Sequence, residues 1–372
     1  MALPIFNSLA CCCSYEKTVT PYLPQLYKLP TKFLQSWNSS NELKELYLSI
    51  NPFISALAFS IFFAFLFFVS SVINQNYSQV DRFWSILPSV YNLHFVIFAR
   101  LSNLQTTRLE VVFIIGVLWS TRLTFNYYRK GGYSIGSEDY RWEIIRKVMN
   151  PLQLFIFNIF FISLTQSVLL FLITTPSYII LLAAQVSPKI SAADYVFASV
   201  LIALIAIELI SDQQQWGEFK LFKPSNLYTI LSLTLYFFII LPIDFQEAKR
   251  KYNENSELPR GYKKEDLDRG FLSRGLWSLS RHPNFVAEQA IWIVIYLHGC
   301  WTTKTLFNWT SCGVVSYLLL FQGSTVLTEK ISAAKYHEYV EYQKKVGKFL
   351  PKIHTKHFGD FPSKRKAGNK SL

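Results

Sequence analysis

Charge is scarce in this sequence. Only 16% of its 372 residues are Asp, Glu, Lys or Arg, and two long stretches, residues 46–80 and 148–188, contain none. Helices of a soluble protein keep a polar face, so uncharged stretches this long exclude an ordinary soluble core and predict helices whose solvent is lipid. Spaced cysteines are missing too: the five include the consecutive Cys11, Cys12 and Cys13, with no CxxC pair and no disulfide framework. That pattern suggests a reducing or neutral setting, and leaves the three adjacent thiols either acylated or without a role. Residues 1–50 lack a basic start followed by a short apolar core and a small-residue cleavage site. No cleaved signal peptide is therefore expected, and the first span acts as an uncleaved anchor. The glycines of "GGYSIGSEDYRW" follow no strand, which excludes a dinucleotide-binding fingerprint of the Rossmann type. No Ser-His-Asp or metalloprotease arrangement is present, and His354 and His357 read as part of a solvated basic tail, not as metal ligands.

What abounds is apolar and aromatic side chain, 51% and 17% of the residues. Segments suited to crossing a hydrocarbon layer of about 30 Å fall at about residues 52–73, 83–99, 110–128, 151–174, 192–211, 226–244, 285–301 and 309–327. The expected fold is all-α, a multi-pass transmembrane bundle. A formal net charge of +13 is concentrated between and after these segments, in "RKGGYSIGSEDYRWEIIRK", in "EAKRKYNENSELPRGYKKEDLDRGFLSR" and in the tail from Lys330 onward. Membrane proteins mark cytosolic loops in this way, which argues against nucleic acid as the partner.

Two cytosolic loops must be separated by an even number of spans, yet three candidates lie between these two. The segment 226–244 breaks the count. Lifting out Gly217 to Ile243 joins Trp216 to Asp244 as "SDQQQWDFQEAKRKYNE", a continuous polar helix. Two readings of residues 217–243 stand: a translated intron, whose Gly-Glu start, Leu-Thr interior and Ile-Asp end admit intron-like codons, or a real span or re-entrant segment. About seven spans remain without the insert, and eight with it. The domain plan is an N-terminal region (1–50), a membrane domain (51–353) and a basic cytosolic tail (354–372).

Glu208 and Asp212 stand four residues apart at the end of one expected span, and Asn284 and Glu288 repeat the spacing at the start of another, so each pair shares a helix face. Carboxylates and amides at membrane depth are costly unless they face a cavity or a partner, and two such pairs on cytosolic ends point to a polar pocket. Pro283 suits the first turn of a helix; the N–H groups after it, with Arg281 and His282 alongside, offer a place for an anionic group such as phosphate. The segment "TEKISAAKYHEYVEYQKKVGKFLPKI" reads as an amphipathic helix with Tyr336, Tyr339, Val340, Gln343 and Val346 on one face, suited to covering a cofactor at the membrane surface.

Taken together, "VDRFWSILP", "WSTRLTFNYYRKGGYSIGSEDYRWEIIRK", "SDQQQW", "GYKKEDLDRGF", "GLWSLSRHPNFVAEQAIW" and "AAKYHEYVEYQKKVGKFLP" resemble the steroid 5-alpha-reductase superfamily, specifically a fungal branch of multi-pass membrane proteins. In that branch "DQQQW" looks to be followed at once by Phe-Gln, which again singles out the insert. The resemblance implies a seven-helix bundle of the endoplasmic reticulum, with a lumenal N-terminus, a cytosolic tail and NADPH in the cytosolic half. Asp212 stands where the reductases have an NADPH-binding aspartate, and Glu208 where they have an asparagine. Asn284 and Glu288 match the Asn-Tyr-x-Gly-Glu motif, with Phe285 and Ala287 as departures; Tyr342 matches a tail tyrosine near the cofactor. Asp81 falls in the region of the catalytic glutamate. Arg281, His282 and the tail lysines would hold phosphates, while Asp212, Asn284, Glu288 and Tyr342 would hold ribose and nicotinamide. Asn308 in "NWT" would lie in a lumenal turn, close to the membrane.

Trp119 stands where the steroid reductases have the tyrosine that polarises the substrate ketone. An indole N–H donates one hydrogen bond but is no acid, whereas a phenol has a pKa of about 10, which argues against a 3-oxo steroid. The implied activity is NADPH-dependent reduction of a double bond in a lipid, sterol-like or isoprenoid-like. The "RHP" motif and the tail "Y-x-x-Y … LP" are also similar to isoprenylcysteine and phospholipid methyltransferases, which use S-adenosylmethionine. Trp119 alone supports a third expectation, a non-catalytic membrane scaffold.

Overall fold

The computed structural model describes residues 2–216, 245–255, 258–259 and 261–352. The expected span 226–244, the insert 217–243 and the basic tail with His354 and His357 lie outside the described residues. The chain divides into two compact units, Met1–Ala203 with Ala290–Leu320, and Leu204–Gln289 with Phe321–Leu372. Regular structure among the described residues is helical, apart from one isolated parallel bridge between Ser280 and Gly347. The expectation of an all-α fold holds.

In the first unit, α1 (Pro24–Ser36) and α2 (Ser40–Ser49) precede the long apolar α3 (Pro52–Asn74). Asn51 starts α3: its side chain accepts from the Phe53 N–H at 2.9 Å, and Pro52 occupies the first turn, where no donor is needed. The same side chain donates to the Ala2 carbonyl and the Tyr178 hydroxyl, each at 3.0 Å, while Tyr178 donates to the Thr18 carbonyl at 2.8 Å. The N-terminal region is thereby folded onto the bundle. Cys12 and Cys13 are buried in it, and burial pushes the Cys12 thiol up to about 12, which withholds the reactive thiolate.

The short α4 (Gln79–Phe83) leads to α5 (Leu87–Leu101) and α6 (Thr107–Arg129). Gly116, Trp119, Arg122 and Asn126 recur every three or four residues and form a buried stripe on α6. Ser89 of α5 donates to the Gly116 carbonyl at 3.0 Å. After the short α7 (Tyr140–Val148) come α8 (Pro151–Phe157), a π-helical turn (Asn158–Thr165), α9 (Gln166–Leu172) and the wholly buried α10 (Thr175–Ala183), whose first turn contains Pro176. The π turn widens the helix so that Asn158 donates to Ser71 of α3 at 2.8 Å and accepts from Ser163 at 3.2 Å. At the start of α11 (Ala192–Gln215), Asp194 accepts from Arg108 at 2.8 Å and pairs with His298 at 2.7 Å, a buried ionic cluster tying three helices.

The second unit contains α12 (Phe245–Asn255) and α13 (Lys264–Arg269), while α14 (Pro283–Thr303) and α15 (Ser311–Lys335) run through both units and α16 (Tyr339–Lys345) closes the tail. Gly270 ends α13 in the left-handed conformation, φ 85°, as the C-terminal cap requires. Two aromatic clusters build this unit, one around Phe245, Ala248, Tyr262 and Leu267, the other around Phe271, Tyr339, Tyr342 and Val346.

Among the described residues, five helical segments are long and apolar enough to cross a membrane: α3, α6, Pro151–Ala183, α11 and α15. The chain is a multi-pass helical membrane protein. The expected spans 83–99 and 285–301 correspond to α5, with 15 residues, and α14, with 21, neither of which is among the five.

Candidate functional site

The second unit gathers seven of the residues singled out by sequence: Glu208, Asp212, Arg281, His282, Asn284, Glu288 and Tyr342. All except the half-buried Asn284 are buried. α11 carries Glu208 and Asp212 one turn apart on its last turns; α14 opens with Pro283, setting Asn284 and Glu288 one turn apart on its first. Asn284 Nδ2 reaches Asp212 Oδ1 at 3.4 Å, so the two expected pairs do meet.

The segment leading into α14 is held from both sides. Gly275 adopts φ 60°, where an added Cβ would lie 2.5 Å from the Gln214 amide; the Leu276 N–H donates to Gln214 Oε1 at 3.0 Å, and the Trp277 indole donates to the Ser211 carbonyl at 3.2 Å. From the tail side, the Tyr342 hydroxyl donates to the Trp277 carbonyl. Burial pushes the Tyr342 phenol well above its ordinary range, so it stays a protonated donor.

Arg281 is turned inward. Its guanidinium makes a two-pronged ion pair with Glu329 of α15, at 2.6 and 3.0 Å, and donates to the carbonyls of Gln343 and Val346 at the end of α16. A cation at a helix C-terminus meets the exposed carbonyls and the negative end of the helix dipole. His282 Nε2 lies 3.0 Å from the same Glu329, and the Gln343 amide donates to it at 3.1 Å. Backbone pairing completes the closure: the Arg281 N–H donates to the Gly347 carbonyl at 3.0 Å, and Ser280 Oγ to the Lys348 carbonyl at 3.1 Å. Gly347 is needed there, because a Cβ would sit 1.8 Å from the Leu350 carbonyl oxygen. "SRHP" therefore fastens the tail helix to α14 and α15.

Glu329, Gln343 and Trp277 were not singled out as site residues in the sequence. Glu329 follows an expected span end and stands next to Lys330, so it reads as the start of a solvated tail. Its signal was the four-residue spacing from Thr325, itself buried, which continues an inward face.

Asp81 and Trp119 belong to the first unit. Asp81 accepts from the Trp142 indole at 2.8 Å and lies 3.8 Å from Arg141, which secures α7 against α4. Burial raises its carboxyl above the usual range, while the Arg141 charge and the Trp142 N–H pull it back. Trp119 is buried, edge-on to Trp292 at 5.2 Å. The glycine loop that follows α6 is folded over the same region: Asn76 and Arg82 donate to the Ser137 carbonyl at 2.9 and 2.8 Å, and Glu138 accepts from the Tyr77 N–H at 2.7 Å.

Residues 67–346 match the profile of a family described as a protein of unknown function, DUF1295. The chain belongs to the DUF1295 family. It is 36% identical over 358 residues to an uncharacterised protein of Schizosaccharomyces pombe, an alignment that covers 96% of this chain and 95% of that protein. No solved structure matches the chain. The matched region takes in every site residue named above, from Asp81 to Tyr342.

Proposed function

We propose that this DUF1295 protein is a reductase of the steroid 5-alpha-reductase superfamily, acting with NADPH on an activated double bond of a membrane lipid, sterol-like or isoprenoid-like, in the endoplasmic reticulum. The contact of Asn284 with Asp212 carries this reading, because it joins two separate motifs whose counterparts in the reductases bind the nucleotide. The donor set fits part of that cofactor. Buried Glu208, Asp212 and Glu288 are acceptors, and Asn284 is both donor and acceptor. Such a set suits ribose hydroxyls and a carboxamide N–H. Phosphates need cations; with Arg281 and His282 engaged by Glu329, the tail lysines would meet them, and Arg281 and His282 would act by fixing the tail.

When bound, NADPH supplies the hydride. The chain's own residues would orient it, and Asp81, which the resemblance sets in the region of the reductases' catalytic glutamate, is the proposed catalytic residue. A methyltransferase is the second reading. The same buried carboxylates suit the sulfonium and amino groups of S-adenosylmethionine.

The test is binding by the full chain in nanodiscs, with fluorescent NADPH and radiolabelled S-adenosylmethionine offered separately. NADPH is expected to bind, and Asn284→Ala or Glu288→Ala to weaken it about tenfold or more, the effect of losing a hydrogen bond worth roughly 1.5 kcal/mol, with the melting temperature kept. Parent-like NADPH affinity in both variants removes these residues from the cofactor site, and binding of S-adenosylmethionine alone replaces the reductase with the methyltransferase.

For orientation, we propose seven spans, counting α5 and α14 with the five. They put the loops at 129–147 and 245–281 and the C-terminal tail on one side, which their basic content identifies as cytosolic.

A further inference from the structure

The sequence contains four Asn-x-Ser/Thr triplets, at Asn38, Asn76, Asn308 and Asn369, of which the last lies outside the described residues. Such a triplet can accept an N-linked oligosaccharide only where its amide is accessible on the lumenal side. Two of the three described asparagines are spent on structure. Asn76 is 9% exposed, donates to the Ser137 carbonyl at 2.9 Å and accepts from the Ser78 N–H at 3.0 Å. Asn308, half-buried in the short turn between α14 and α15, accepts the Thr310 hydroxyl of its own triplet at 2.6 Å and directs Nδ2 to Cys300 Sγ at 3.4 Å.

Asn38 differs on each count. It is exposed in the turn between α1 and α2, and its carboxamide makes no hydrogen bond among the described residues. Ser40, the hydroxyl residue of the triplet, is exposed as well. Ser39 between them is occupied as the cap of α2, accepting from the Glu42 N–H at 3.4 Å, which fixes the turn while leaving its two neighbours open. One span, α3, separates this turn from Asn76, so the two triplets face opposite sides of the membrane.

We propose that Asn38 carries an N-linked glycan. The proposal rests on the seven-span orientation, which puts the N-terminal region opposite the basic loops. The donor is a lipid-linked oligosaccharide diphosphate. Asn38 Nδ2 forms a bond to the anomeric carbon, the bond from that carbon to the phosphate oxygen breaks, the lipid diphosphate leaves and Nδ2 gives up one proton. A bulky hydrophilic group there would also keep the N-terminal region from crossing the bilayer.

The test uses the full chain with an N-terminal epitope tag in sealed microsomes of a yeast host. Treatment with peptide N-glycosidase F is expected to increase gel mobility by the mass of one glycan. Asn38→Gln and, independently, Ser40→Ala should abolish that shift, whereas Asn76→Gln and Asn308→Gln should leave it. Protease added outside reads the orientation on the same membranes. A protected tag without a shift, or a shift that survives Asn38→Gln, overturns the glycan while the orientation stands; a digested tag without a shift overturns both.

Discussion

Glu329 shows how one side chain sets the chemistry of its neighbours. It neutralises Arg281, orients His282 and accepts from Gln343, with the Arg281 and Glu329 side chains only 9% and 12% exposed. Removing one partner from a buried pair leaves the other charge desolvated and uncompensated, at a cost of about 3–5 kcal/mol. Glu329→Ala is therefore expected to lower the melting temperature in detergent by several degrees or more, and to free the tail, read as faster proteolysis after residue 335. A tail as protease-resistant as the parent's would show that Arg281 fastens α16 through its carbonyl contacts alone. Sequence reached Glu208 with Asp212 and Asn284 with Glu288 through a spacing rule, and Arg281, His282 and Tyr342 through motifs. The partner of Arg281 lies 48 positions away, and long-range pairing of that kind leaves no periodic trace in a single sequence.

Among the elements, the long apolar helices were legible because hydrophobic length is the quantity a bilayer selects. The π turn at Asn158–Thr165 was not, since it depends on what neighbouring helices offer to Asn158. Glycine roles illustrate the same division. Gly313 in α15 lies so close to α9 that a Cβ would come within 2.3 Å of the Leu172 carbonyl oxygen, whereas a Cβ on Gly323 in the same helix would meet nothing within 4 Å. Backbone cannot yield as a flexible side chain does, so Gly313→Ala is expected to cost about 1–3 kcal/mol in the manner of an overpacked core, and Gly323→Ala nothing measurable. Thermal unfolding of the two variants in the same detergent checks this. Equal melting temperatures would mean that the approach of α15 to α9 is looser than the distance implies.

For the molecule as a whole, the decisive quantity is the parity of the spans. If only the five longest apolar segments crossed, two crossings would precede the loop at 129–147, four the loop at 245–281 and five the tail, splitting the basic residues between both sides of the membrane. Adding α5 and α14 changes these to three, five and seven, and all the basic segments fall on one side, as the positive-inside rule demands. α5 is short for a bilayer of about 30 Å, but it is flanked by longer spans that can thin the membrane locally or tilt, and its buried Tyr91, Asn92 and Phe95 face other helices, not lipid. Charge distribution thus favours the proposed seven spans where hydropathy alone leaves five. A protease site inserted at Ile135, the fully exposed tip of the glycine loop, is expected to be cut from outside sealed microsomes together with the C-terminal tail. Cleavage at the tail with protection at Ile135 would establish the five-span alternative and would put the glycine loop on the opposite side of the membrane from the tail.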